Sequence, residues 1–258
     1  MAHAPARRRH WGGLVWTLIR TDFKARYHGT LGGFVWALLK PAAMFIVLMT
    51  VFSLVFPDNA TYKLDLLIGL FLYDFFAETT KTGITALHAR GYLLTKARFP
   101  SWILVVTALS NPLLTVSVFC VAVLTFLVMT GTPPAFASVL ALLAYVAAMG
   151  LIAVGIALGG SVLFLRYRDL NQVWDVITQA GFFVAPVIYP IGVIPERFHF
   201  YLYLWPPTAV IEFARAAIVD RRLPSLAGHA DLGLLTLAIL AGGAAVYRWL
   251  APRAAEYL

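Results

Sequence analysis

Long apolar blocks, separated by short basic or proline-rich stretches, set the pattern of this chain. Trp102–Thr130 contains no charged residue, and neither does Pro133–Leu165. A bilayer span needs about 20 predominantly apolar residues, and soluble core helices rarely run so long without a charge. The pattern predicts an all-α, polytopic membrane protein with six transmembrane helices. They fall at about 34–56, 65–87, 102–129, 136–165, 170–189 and 231–250.

An even number of spans puts both termini on one side. With that side in the cytosol, 14 of the 20 Lys and Arg residues are cytosolic and five are outside, with Lys81 inside the second span. That asymmetry is the positive-inside signature.

Three segments do not read as spans. In residues 11–27, Trp11, Leu14, Val15, Leu18, Ile19 and Phe23 recur at helical spacing, with Arg20, Thr21 and Lys24 opposite. This predicts an amphipathic helix lying in the cytosolic membrane interface. Residues 88–101 form a basic loop that also holds Tyr92, Leu93, Leu94 and Phe99-Pro100. Apolar residues are out of place in a bare charged loop, so a docking surface for a cytosolic partner is expected beside a plain orientation signal. Residues 190–228 are too polar for one span and too apolar for an ordinary loop. Pro190, Pro195, Pro206 and Pro207 divide them, and Phe198–Trp205 is rich in aromatics. Two short re-entrant helices fit, the second at Thr208–Val219 with Glu212 and Arg215 spaced to pair. A simple aromatic interfacial belt is the other reading.

Two spans carry further detail. In the second, Asp74, Glu78 and Lys81 follow i, i+4, i+7 and share one face. Charge at membrane depth faces protein or water, so this is either an internally paired polar face or a proton relay. In the fourth, Gly155 and Gly159 have the small-xxx-small spacing that lets helices approach closely.

Composition agrees. Of 258 residues, 61% are hydrophobic and 12% charged, against about 25% charged in soluble domains. The net charge of +8 is accounted for by basic cytosolic loops and calls for no nucleic acid. The single cysteine, Cys120, allows no intrachain disulfide. The apolar run Trp11–Ile19 is short and ends at Arg20, so no cleavable signal peptide is expected. No internal repeat or linker divides the chain, which reads as one domain over 1–258. No phosphate-cradling G-x-x-x-x-G-K-[ST] motif, H-E-x-x-H motif, metal-spaced Cys/His cluster or activated nucleophile is present in the sequence. No catalytic residue or metal ligand is therefore assigned.

The segment Arg20–Pro41 resembles the entry of polysaccharide-exporting permeases of the ABC-2 type. In that family a basic interfacial helix ends in Arg-Tyr, followed by Leu-Gly, a Trp-containing span start and a Pro. Arg26, Tyr27, Leu31, Gly32, Trp36 and Pro41 match. So do Phe99-Pro100, Arg166-Tyr-Arg-Asp169, Pro186-Val-Ile-Tyr-Pro190 and Ile211-Glu-Phe-Ala-Arg215. The family's external Asn-Pro reads Pro206-Pro207 here, a departure at the local turn.

The resemblance implies a homodimer in the bacterial cytoplasmic (inner) membrane, joined to two ATP-binding cassette subunits. Those partners, not this chain, would hold ATP and Mg. It implies export of a lipid-linked polysaccharide such as an O-antigen, teichoic acid or capsule. Loop 88–101 becomes the ATPase-coupling element, with Arg90, Tyr92, Leu93, Lys96 and Arg98 as candidates. Arg20, Lys24, Arg26 and Tyr27 become candidates for the lipid headgroup and gate, with anchoring to anionic lipid as the alternative. A sliding sugar polymer calls for aromatic platforms and few fixed charges, and 14% of the chain is aromatic. Trp36, Phe45, Phe52, Tyr73, Phe182, Phe183 and Tyr189 are the channel candidates. Rival readings are a secondary transporter coupled through Asp74 and Glu78, a membrane glycosyl- or phosphotransferase, and an ABC-2 exporter of a small lipid or drug.

Overall fold

A computed structural model describes residues 11–27, 33–56, 61–96, 99–129 and 131–254. Leu31, Gly32, Arg98 and both chain ends lie outside the described residues. Among the described residues, every regular element is helical. In order they are α1 (Trp11–Tyr27), α2 (Val35–Phe52), α3 (Tyr62–Arg90), α4 (Tyr92–Lys96), α5 (Trp102–Ala108), α6 (Ser110–Met129), α7 (Phe136–Arg166), α8 (Leu170–Val184), α9 (His199–Tyr203), α10 (Pro206–Ile218) and α11 (Leu226–Ala254).

Among the described residues, four stretches are long and apolar enough to cross a membrane: Val35–Phe52, Trp102–Met129, Phe136–Arg166 and Leu226–Pro252. The remaining two expected spans differ for physical reasons. Helix α3 has the length, at 29 residues, but carries the Asp74, Glu78, Lys81 face. Helix α8 has 15 residues and stops at Val184, short of the expected 189.

The third expected span is one of these four stretches, with a local irregularity at Leu109 between α5 and α6. Pro112 has no N–H to give to the carbonyl of Ala108, and the chain turns at Leu109, whose N–H bonds back to Val106 at 3.2 Å. Helix α6 ends in a Schellman motif: Gly131 takes a positive φ of 71°, Thr132 N–H donates to Leu127 and Gly131 N–H to Val128. Only a residue without Cβ adopts that conformation cheaply.

Helix α3 is the axle of the bundle. It packs against α7, α10, α5, α6, α2 and α8, and Leu66, Phe76, Ile84 and Leu87 are sealed from solvent. Helices α7 and α11 lie side by side, and the small residues explain how. A Cβ at Gly155 would sit 2.7 Å from the Ile239 carbonyl oxygen, and one at Gly243 would collide with the Gly155 backbone. Close backbone approach of this kind is what small residues permit in apolar helix pairs.

Helix α1 turns the expected face inward: Trp11, Leu14, Val15, Leu18 and Ile19 are half-buried, and Arg20 and Lys24 are exposed. Asp22 joins the inner face and pairs with Arg90 at 2.6 Å. Phe23 is more exposed than the pattern predicts, but its ring still meets Tyr27 at 4.9 Å.

The region after α8 holds two three-residue 3-10 turns and two helices. Pro206 and Pro207 occupy the first two positions of α10, where a missing N–H costs nothing. Glu212 and Arg215 do pair, at 3.0 Å. Not all the aromatics of Phe198–Trp205 point out. Phe200 and Tyr201 are exposed, but the Trp205 ring stacks edge-on to Phe76 at 5.6 Å and lies on the α8 backbone at Gly181, where a Cβ would strike it.

Candidate functional site

A groove runs between α2, α3 and α8, made of two cavities that share Lys40, Asp74, Ala77 and Thr178. At the end nearest α1 the cavity is polar, about 820 Å³, and bordered by Arg26, Tyr27, Trp36, Glu78, Lys81 and Asp175. Farther along it is mainly apolar, about 750 Å³, and bordered by Met44, Val47, Leu70, Tyr73, Phe182 and Phe183.

The polar end follows from two helix faces with the same spacing. Asp74, Glu78 and Lys81 on α3 stand at i, i+4, i+7, and so do Asn171, Asp175 and Thr178 on α8. Residues at that spacing share one side of a helix. The charges on α3 are matched by other helices: Asp74 with Lys40 at 3.7 Å, Glu78 with Arg26, and Lys81 with Asp175 at 2.8 Å. The face is thus paired within the fold, and it borders the groove. Deeper in, the Trp174 indole donates to Thr80 at 2.8 Å, and the Tyr73 hydroxyl donates to the Thr178 carbonyl. Phe182 packs edge-on against Tyr73 at 5.3 Å.

Trp36, Tyr73, Phe182 and Phe183 therefore line the groove. Phe45 and Phe52 pack against the core instead, outside both cavities. Tyr189 also packs on the core, its hydroxyl near the Phe183 and Val184 carbonyls at 3.0 and 3.2 Å. Of the headgroup candidates, Arg26 and Tyr27 border the polar cavity, and Arg20 and Lys24 do not. Lys40, Asn171, Asp175 and Gln179 were not picked out from the sequence. Lys40, a lone charge in an apolar block, and the repeated i, i+4, i+7 spacing were the available signals.

At the same end of the bundle, α4 presents Tyr92, 60% exposed, with the Lys96 ammonium 5.8 Å from its ring centroid. Leu93 and Leu94 turn in to a small second core with Leu18, Phe99 and Val246. Arg90 is held by Asp22. Burial pushes the Asp22 carboxyl above the ordinary carboxylate range, and the Arg90 charge opposes that shift. Arg168 reaches His88 at 3.0 Å, tying the start of α8 to the end of α3.

Apolar helices around an open, partly polar groove are the build of a polytopic membrane protein. The chain belongs to the ABC-2 type transporter family, whose model matches residues 13–219. It is similar to the O-antigen export system permease protein RfbA of Myxococcus xanthus, 26% identical over 248 residues and covering 91% of each chain. It is similar to the polysialic acid transport protein KpsM of Escherichia coli, 25% identical over 240 residues, 91% of this chain and 92% of the relative. The RfbA protein of Klebsiella pneumoniae is 24% identical over 202 residues, 77% of each.

Proposed function

We propose that this chain is the membrane permease of an ATP-driven exporter that moves a lipid-linked polysaccharide across the bacterial cytoplasmic membrane. The observation that carries the reading is the likeness, along about nine-tenths of both chains, to permeases named for O-antigen export and polysialic acid transport. The groove supports it: aromatic faces at Trp36, Tyr73, Phe182 and Phe183 suit sugar rings, and the charges beside them are neutralised in pairs. Paired charges present no isolated site on which a sliding polymer would stick.

In this reading the chain has six spans with both termini in the cytosol, α3 and α8 being the second and fifth, and α9 and α10 re-enter the outer leaflet. Two copies assemble along α2 and α8 and close the groove into a passage. Two ATP-binding cassette subunits dock on α4 through Tyr92 and Lys96. They supply the ATP hydrolysis, and this chain performs no chemistry of its own. Arg26 and Tyr27, with Arg20 and Lys24 nearby on α1, meet the lipid headgroup at the inner leaflet.

The test is to purify the chain with its ATPase partner in lipid nanodiscs and add lipid-linked glycan. ATP hydrolysis should rise with glycan and stay low with the free lipid carrier. A chain that moves solute in vesicles on a proton gradient, with no ATPase present, would instead be a secondary transporter.

A further inference from the structure

The extended segment that follows α8 runs through the protein interior. Ala185 and Val187 are fully shielded and Ile188 nearly so, and Ala185 is already extended at φ −65°, ψ 138°. The last carbonyls of a helix have no intrahelical partners, and buried carbonyls without partners are costly. In apolar surroundings such backbone persists only when protein groups satisfy it.

Here almost every carbonyl from 183 to 188 has a side-chain or turn partner. The Tyr189 hydroxyl serves Phe183 and Val184. Val187 N–H closes a tight turn on Ala185 at 2.7 Å. The Arg215 guanidinium donates to Pro186 and, at 2.9 Å, to Val187. The Tyr62 hydroxyl donates to Ile188 at 2.8 Å. Arg215 is itself fixed by Asp65 O at 2.9 Å and by the Glu212 carboxylate at 3.0 Å. Gly69 makes room: a Cβ there would lie 2.7 Å from the guanidinium Nη2 and 3.3 Å from Val187.

We propose that Arg215 is a positioning residue of the transport path. Its guanidinium supplies donors to the buried Pro186 and Val187 carbonyls just past the end of α8, and so holds Phe182 and Phe183 against the groove. The planar fork reaches four acceptors on three elements, a task that a lysine ammonium cannot reproduce. The role in transport rests on reading the groove as the polymer path, whereas the local geometry does not.

The experiment uses the full permease–ATPase complex with Cys120→Ala and a single Val187→Cys probe, which is fully shielded in the native fold. The rate of modification by a small maleimide is compared with Arg215 intact, with Arg215→Lys and with Gly69→Ala. Loss of one carbonyl's partner corresponds to about a tenfold or greater rise in the open population, so the rate should rise by about that factor in both variants. A Phe183→Cys probe, exposed already, should react alike in all three. Glycan export should fall with Arg215→Lys while complex yield and basal ATP hydrolysis hold. Unchanged Val187→Cys reactivity in a folded Arg215→Lys complex overturns the proposal. If Arg215→Lys does not assemble, the same reading is taken from Gly69→Ala, where an unchanged rate overturns it equally. Raised reactivity with unaltered export would keep the cap and refute its role in transport.

Discussion

Asp22 on α1 and Arg90 at the end of α3 meet at 2.6 Å, with side chains only 14% and 24% exposed. The pair fastens the interfacial helix to the stretch of chain that leads into α4. Asp22→Arg should therefore weaken the folded permease, and the swap Asp22→Arg/Arg90→Asp should recover much of the loss. A double-mutant cycle read by thermal unfolding in detergent should give a coupling of about 1 kcal/mol. Purely additive effects would mean the two side chains act separately.

The same pair gives a pH prediction. Burial raises the Asp22 pKa above 3.8, so the folded chain holds this proton more tightly than the unfolded chain does. At low pH both states are protonated and the group contributes nothing. As pH climbs from 3.8 through the raised value, the folded state must bury an ion and stability falls. Asp22→Asn should flatten this slope above pH 3.8. A steeper fall in the variant would mean that ionised Asp22 stabilises the fold instead.

The α7–α11 contact depends on glycine at chosen positions only. Gly155→Ala places a methyl group against the Ile239 carbonyl and should cost about 1–3 kcal/mol. Gly242→Ala meets nothing within 4 Å and should be neutral or gain about 0.5–1 kcal/mol from helix propensity. The ranking of melting temperatures checks both at once.

Aromatic residues should divide into path and packing. Phe183, 66% exposed on the groove, should lose export on substitution by alanine with no change in melting. Phe52, packed on the core, should lose about 2 kcal/mol on the same change. Equal behaviour of the two would remove the distinction.

On α4, Tyr92→Lys should weaken capture of the ATPase partner by about tenfold or more, as expected when an exposed aromatic anchor is lost from an interface. Leu93→Ala should instead loosen the permease itself, because Leu93 belongs to the second core. Undiminished capture by Tyr92→Lys would move the docking surface elsewhere.

Apolar block length foretold helices α2, α6, α7 and α11, since that signal is local. Periodicity likewise marked the half-buried positions of α1 and the Glu212–Arg215 pair. What failed to show was set by contacts distant in sequence. The buried segment that follows α8 is met by Arg215, 29 residues after Pro186, and by Tyr62, 126 residues before Ile188. The irregularity at Leu109 was written in Pro112, but it was hidden by the uninterrupted apolarity around it. Among the aromatics, Tyr73 and Phe52 look alike in sequence, and only packing separates a groove wall from core.

The proposed ATP-driven export of a lipid-linked glycan through this chain is open to direct measurement. The direct measurement is translocation in sealed proteoliposomes, with ATP and the ATPase sites on the outer face and a glycan-cleaving enzyme sealed inside. ATP should make outer-leaflet glycan cleavable from within, a non-hydrolysable analogue should not, and Phe183→Ala should slow it. Glycan that stays beyond reach of the enclosed enzyme while ATP is steadily hydrolysed would contradict it.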